Sequence, residues 1–156
     1  MNAREVYMGR KQMLEYELKQ AIRENNTETK KVVRLALSSI KLAEVDLRRE
    51  LSEQEIINIL QKEISNRQET ISEAQKIKRF DLIQENESEI IILRNYLPVQ
   101  ATNEEILQMI DEVIALKQNV TMKDMGHVIK ETISKLEGRA ANNVVSALVK
   151  QVLSDK

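Results

Sequence analysis

The sequence contains no cysteine, which excludes disulfides, thiolate metal sites and cysteine nucleophiles. Its single histidine, His127, excludes the zinc motifs that need paired histidines. The three glycines lie far apart, so the glycine-rich loops with which common nucleotide-binding folds hold phosphate are also missing. These absences leave no visible catalytic apparatus. We therefore expect a protein that is not an enzyme by itself and that uses no cofactor and no metal.

Residues that interrupt or oppose helices are scarce. Pro98 is the only proline, and aromatic residues make up 3% of the chain. A sheet protein normally needs more turn residues and more alternation of β-branched and aromatic side chains. The composition therefore predicts an all-α fold.

Long apolar runs are absent as well. Residues 1–13 lack the apolar core of a signal peptide, and no later run approaches the length that crosses a bilayer. Together with the lack of cysteine, this predicts a cytoplasmic protein with no membrane partner.

Apolar residues spaced by three and four predict four helices before Pro98: residues 9–24, 29–50, a helix that starts at Ser52, and residues 81–96. Thr27 or Thr29 is expected to cap the second helix, and Ser52 with Glu55 forms a capping box at the third. Helices two to four are expected to pack as antiparallel hairpins. The prediction is an N-terminal helical hairpin or bundle domain over residues 1–97.

Pro98 is the clearest boundary in the chain, because it lacks an amide donor and disfavours helix at the residue before it. Three short apolar-periodic segments follow, with caps at Thr102 and Thr121 and a stop at Gly138. We predict a small three-helix C-terminal tail domain over residues 98–156.

Two groups of charged residues in the first domain have simple interpretations. Arg67 falls on an apolar seam, where an arginine usually buries its stem and keeps its head in water. The acidic run from Asp81 to Glu89 spreads around a helix, so it predicts a solvated face and not a metal site.

Charge favours the last part of the chain as an anion-binding surface. Residues 121–156 hold six basic and four acidic side chains, whereas the whole chain has a net charge of −1. Within this part, Lys135 and Arg139 bracket Gly138, and helix-end amides next to a basic pair suit a phosphate. Composition alone favours a simpler explanation, a helix cap with two exposed cations. His127 is interpreted as a surface or interface histidine, because it has no evident nucleophile beside it.

Several of these segments together resemble the GatB/YqeY family. They are Tyr96-Leu97-Pro98-x-Gln100, Met125-Gly126-x-Val128, Lys135-Leu136-x-Gly138-Arg139-Ala140, and Arg34, Glu44 and Arg79-x-Asp81-Leu82 in the helical half. The sequence departs from the family at two points. Lys78 stands where the family has a glycine, and Ala141 and Asn142 stand where it has an aspartate and a glycine. Asn142 or Asn143 is expected to replace the missing cap.

The resemblance implies the stand-alone YqeY form, which lacks the catalytic cradle of the tRNA-dependent amidotransferase B subunit. It associates the chain with carbon–nitrogen ligase chemistry that uses glutamine as the amide donor, although the sequence offers no residues to perform that reaction alone. It also implies a tail that contacts tRNA or a tRNA-processing complex. We predict contact through Lys123, Lys130, Lys135, Gly138 and Arg139, with Lys123 and Lys130 on one face of a single helix.

Two alternatives remain open: a protein-interaction adaptor that binds no RNA, and an enzyme subunit that is active only when assembled. Oligomeric state does not follow from the sequence.

Overall fold

A computed structural model describes residues 8–156, and within that range every regular element is a helix, which confirms the all-α prediction. The α-helices are α1 (Arg10–Arg23), α2 (Thr27–Leu47), α3 (Glu53–Lys76), α4 (Phe80–Arg94), α5 (Asn103–Ala115), α6 (Met125–Leu136) and α7 (Asn142–Ser154), and a 3-10 helix (Met122–Asp124) precedes α6. The interpretation of the opening residues as lacking a signal peptide rests largely on residues 1–7, which lie outside the described range. No helix of residues 8–156 has the length and apolar character needed to cross a membrane.

The chain divides into two compact units, the first ending at Leu97 and the second spanning Pro98–Lys156. In the first unit α1 packs mainly against α2 and α3 mainly against α4, while α2 also contacts α3 and α4. These four helices bury one continuous apolar core, formed by Leu14, Val32, Val33, Ala36, Ile40, Ile56, Leu60, Ile64, Ile90, Leu93 and Tyr96. The independent folding of each unit remains a prediction.

The observed cap at the start of α3 agrees with the sequence prediction, whereas the cap at the start of α2 differs from it. At α3, Ser52 and Glu55 form the predicted capping box. A hydrogen bond from Arg49 and one from the Ser52 amide hold the pKa of Glu55 at about 2. The cap of α2 was predicted wrongly, because the Asn26 side chain and not a threonine accepts from the Thr29 amide, at 3.1 Å. Asparagine is as good a cap as threonine or better, so residue type alone did not decide between them.

A group of charges, buried at Arg67 and Glu89 and exposed at Lys31, links α2, α3 and α4. The Nε of Arg67 lies 3.0 Å from Oε2 of Glu89, and its Nη1 lies 2.9 Å from Oε2 of Glu63. Lys31 reaches Oε1 of Glu89 at 3.2 Å. The Arg67 and Glu89 side chains are only 10% and 8% exposed, so the expectation of a solvated Arg67 head and of a solvated Glu89 was wrong. The physical reason is that each charge meets its partner on another helix, which allows both to leave water.

The turn between α3 and α4 places a lysine in a backbone conformation that favours glycine. Lys78 has φ of 56°, and the amides of Lys78 and Arg79 donate to the carbonyls of Gln75 and Ala74, at 3.3 and 2.9 Å. This pair of bonds is the Schellman motif that usually ends in glycine. The position is the one at which the sequence departs from the family glycine.

Replacing Lys78 by glycine is therefore expected to raise the free energy of unfolding by about 0.5–1 kcal/mol, because glycine adopts positive φ without steric cost. Urea denaturation followed by circular dichroism measures the change. Gln75→Gly, in the helical last turn of α3, is the matched control and should lower stability by up to about 1 kcal/mol. Destabilisation by both substitutions would show that strain at residue 78 is negligible.

The second unit folds around its own apolar core, formed by Ile106, Ile110, Val113, Val128, Leu136, Ala140, Val145, Val149 and Leu153. Thr102 and Glu105 form the predicted capping box of α5. The predicted asparagine cap of α7 was wrong: the helix is preceded by Ala141, which provides no side-chain cap. Asn142 is already the first helical residue, and the Asn143 side chain accepts only from the adjacent Val144 amide, at 3.0 Å.

Candidate nucleic-acid interface

The predicted site begins at the segment that leads into α6. Thr121 accepts a hydrogen bond from the Lys123 amide, and the Asp124 side chain accepts from the Thr121 amide, so a capping box opens the 3-10 helix. Two hydrogen bonds to the Asp124 carboxylate lower its pKa below the usual value. The one from the Lys117 side chain contributes most, and the one from the Thr121 amide contributes less. Lys123 is exposed on this short element. Lys123 and Lys130 therefore do not lie on a single α-helix as predicted, because α6 starts only at Met125.

Lys130 and Lys135 are both exposed on α6. Five residues separate them, which turns their side chains about 140° apart around the helix axis. Within residues 8–156, no ion pair engages Lys123, Lys130 or Lys135. The three ammonium groups are therefore available to an anion, although they do not converge on one point.

The turn after α6 is more enclosed than the sequence suggested. Glu137 and Gly138 both have positive φ, 48° and 82°, and Gly138 is buried. The Gly138 carbonyl accepts from the Gln100 side chain at 3.2 Å, and the Arg139 carbonyl accepts from the Ala101 amide at 2.7 Å. The glycine is thus required by a turn that packs against residues 100 and 101, which leaves its backbone little room to approach a ligand.

Arg139 uses part of its guanidinium within the same unit. Its Nε donates to the carbonyl of Val99 at 3.0 Å, and its Nη2 lies 3.1 Å from Oε2 of Glu105. Two of the donors that the sequence assigned to a phosphate therefore contact the segment that precedes α5 and the first turn of α5. The side chain remains 41% exposed, so its other donors still face solvent. Its role in RNA binding stays a prediction.

Sequence reasoning missed Glu105 as the partner of Arg139. The capping box identified Glu105 as a local helix-start residue, and nothing in a local pattern predicts a second contact 34 residues away. Elsewhere, His127 is exposed. No three acidic or histidine side chains in the described part of the chain lie close enough together to hold a metal ion.

Comparison with known proteins gives one family and a small set of relatives. The family model described as Yqey-like protein matches residues 11–153. A protein named "Altered inheritance of mitochondria protein 41, mitochondrial" from Kluyveromyces lactis is 34% identical over 110 residues, which cover 68% of this chain and 60% of the relative. The protein of the same name from Lachancea thermotolerans is 29% identical over 143 residues, covering 87% of this chain and 76% of the relative. The aligned part of the chain thus spans about three fifths of the Kluyveromyces protein.

Proposed function

The chain belongs to the YqeY family of Yqey-like proteins, and from this premise we propose that it is a non-catalytic module that binds tRNA or another structured RNA. The observation that supports the proposal is the set of exposed lysines in the second unit, Lys123, Lys130 and Lys135, none of which is engaged in an ion pair within residues 8–156. Surface lysines that need not give up a partner can neutralise phosphates and release counterions. As an extension of the proposal, the RNA belongs to amidotransferase-type machinery, which the chain would assist and not catalyse.

The proposal predicts weak binding that depends steeply on salt. With about three phosphate contacts, the logarithm of the association constant for tRNA should fall with the logarithm of salt concentration at a slope of about −2 to −3. Lys130→Glu and Lys135→Glu should each weaken binding and reduce that slope by about 1 or more. A filter-binding assay over a salt series measures both quantities.

Lys62→Glu is the matched control, because Lys62 is an exposed lysine on α3 in the other unit and makes no ion pair within the described range. Arg139→Glu is a poor test, since it would place a second carboxylate beside Glu105 and disturb the turn itself. Binding that is insensitive to salt and to both α6 reversals would remove the RNA proposal.

A second candidate is a protein-interaction adaptor. The observation that favours it is charge: the second unit holds seven basic and eight acidic residues, so its net charge gives no general attraction to nucleic acid. In the same assay, an adaptor would bind tRNA no better than a protein of similar net charge does.

The cellular compartment of the protein is also a matter of proposal, with the cytoplasm and the mitochondrion as the two candidates. The absence of cysteine fits a reducing cytoplasm, whereas the two yeast relatives carry a mitochondrial name. Fractionation of cells that express the tagged full-length protein decides between the two.

A further inference from the structure

The outer face of α2 carries apolar side chains that the described chain leaves about half exposed or more. Leu35 is 46% exposed, Leu42 64% and Val45 65%. They are separated by seven and three residues, so they form one row along the helix. The opposite face of α2 contributes Val33, Ala36 and Ile40 to the core and accounts for the burial of the helix. The outer apolar row is therefore not needed to pack α2 against the core.

A row of cations runs beside the apolar row. Arg34 and Lys41 are exposed and lie seven residues apart on α2, which places their charges about 10.5 Å apart along the helix. Arg48, also exposed, follows the last residue of α2 and has a left-handed backbone, with φ of 56°. None of the three makes an ion pair with any residue of the range 8–156. Arg34 has no acidic residue three or four positions away on its own helix. Lys41 and Arg48 have Glu44 at that spacing, but Glu44 pairs with Lys11 of α1 instead.

A cleft borders the same face. It has a volume of about 630 Å³ and lies between α1, which contributes Lys11 and Glu15, and the C-terminal half of α2, which contributes Leu37, Lys41 and Val45. Lys41 and Val45 thus belong both to the cleft and to the two rows. The cleft itself has mixed charge, because it is lined by three basic and three acidic residues: Lys11, Lys41, Arg49, Glu15, Glu44 and Glu50. The cationic edge is the row of Arg34 and Lys41 beside the exposed apolar side chains.

We propose that this face of α2 docks an amphipathic helix of a partner protein, with acidic residues along the edge that meets Arg34, Lys41 and Arg48. Apolar side chains of the partner helix pack on Leu35, Leu42 and Val45. Leu35 and Leu42 have the same heptad spacing as Arg34 and Lys41. An apolar row beside a cationic edge matches the apolar seam and acidic flank of such a helix. Cations left unpaired in the free chain provide the charge complementarity that orients it.

RNA fits the face less well. Binding sites for RNA that use an apolar surface generally place aromatic rings against bases, and this face presents only aliphatic side chains. The inference also stands apart from the RNA proposal, because it concerns the first unit and that proposal concerns the second.

The test uses the full chain and two designed peptides of 21 residues, the length of α2. Both peptides carry leucine at the heptad apolar positions; one has glutamate along both flanks and its twin has lysine there, so that either helix direction is covered. Fluorescence anisotropy at low salt should show the acidic peptide binding about tenfold more tightly than the basic twin, from about three ion pairs that each contribute a factor of about two to three.

Variants of the chain then assign the binding to the face. The triple reversal Arg34→Glu, Lys41→Glu and Arg48→Glu should invert the preference toward the basic peptide. Leu42→Ala should weaken binding of the acidic peptide about fivefold to tenfold. Lys62→Glu, on α3, is the control and should leave the preference unchanged. Circular dichroism should be the same for all variants, since each replaced side chain is exposed.

Equal affinity for the two peptides, or a preference that survives the triple reversal, would overturn the proposal. A third arm measures a single-stranded RNA oligonucleotide on the same variants. Loss of RNA binding in the triple reversal, without any preference between the peptides, would assign the face to RNA and likewise overturn the proposal. RNA affinity that changes only with the α6 lysines, together with a peptide preference that the triple reversal inverts, would support the proposal and show that the two surfaces bind different partners.

Discussion

Replacing Arg67 by methionine is expected to lower the free energy of unfolding of the first unit by about 3 kcal/mol, at the lower end of the range for breaking a buried ion pair. Methionine fills much of the arginine volume but leaves the Glu89 carboxylate, only 8% exposed, without its closest cation. Lys31, at 3.2 Å from Glu89, compensates in part, which is why the lower end applies.

Urea denaturation of the full chain, followed by circular dichroism, measures this loss. The double variant Arg67→Met and Glu89→Met is the critical comparison, because removing both charges of a buried pair is often nearly neutral. Arg49→Met, which breaks an exposed pair with Glu55, should change stability little. If the single and double variants lose the same stability, the effect comes from packing and not from an unpaired carboxylate.

The same residues show how far the sequence could predict this structure. Helices followed from apolar spacing, and the starts of α3 and α5 followed from capping boxes at Ser52 and Thr102, because both signals are local. The Arg67–Glu89 pair was missed because its members are 22 residues apart on different helices, and their meeting depends on the register of α3 against α4. A charged residue on an apolar seam was the available signal, and it was interpreted as a solvated end.

The candidate site was predicted less completely than the fold, for a related reason. The helix stop at Gly138 followed from its place after the apolar pattern, and α6 ends at Leu136, just before Glu137 and Gly138. The contacts of Arg139 with Val99 and Glu105 depend on residues 99–105 returning to the α6–α7 turn, about 40 positions along the chain. A sequence pattern gives the residue types at such a turn but not which of their donors are already used.

A substitution in the second core, Ile110→Ala, is expected to remove about 3 kcal/mol, because Ile110 is fully buried and the change leaves a cavity. A unit of this size has a small core and a net stability of only about 3–5 kcal/mol. The loss should therefore unfold much of the second unit at room temperature. The first unit, with its separate core, should remain folded.

The expected signal is specific. Helices α5, α6 and α7 hold 13, 12 and 13 residues, about a third of the α-helical residues described. Ile110→Ala should lose up to that share of the helical ellipticity before urea is added, and the remaining transition should keep the midpoint of the first unit. Ile40→Ala, fully buried in the first core, is the matched control and should shift that midpoint instead.

A fragment of residues 98–156 completes the test of the boundary at Pro98. If the second unit is a domain, the fragment is helical by itself, and Ile110→Ala unfolds it as it unfolds that part of the full chain. A single cooperative transition in the full chain, shifted equally by Ile110→Ala and Ile40→Ala, would instead mean that the two cores unfold together. Two-state unfolding of the whole chain requires free-energy coupling between the cores. An unfolded fragment beside such a transition would therefore make the 59 residues after Leu97 part of one larger folding unit.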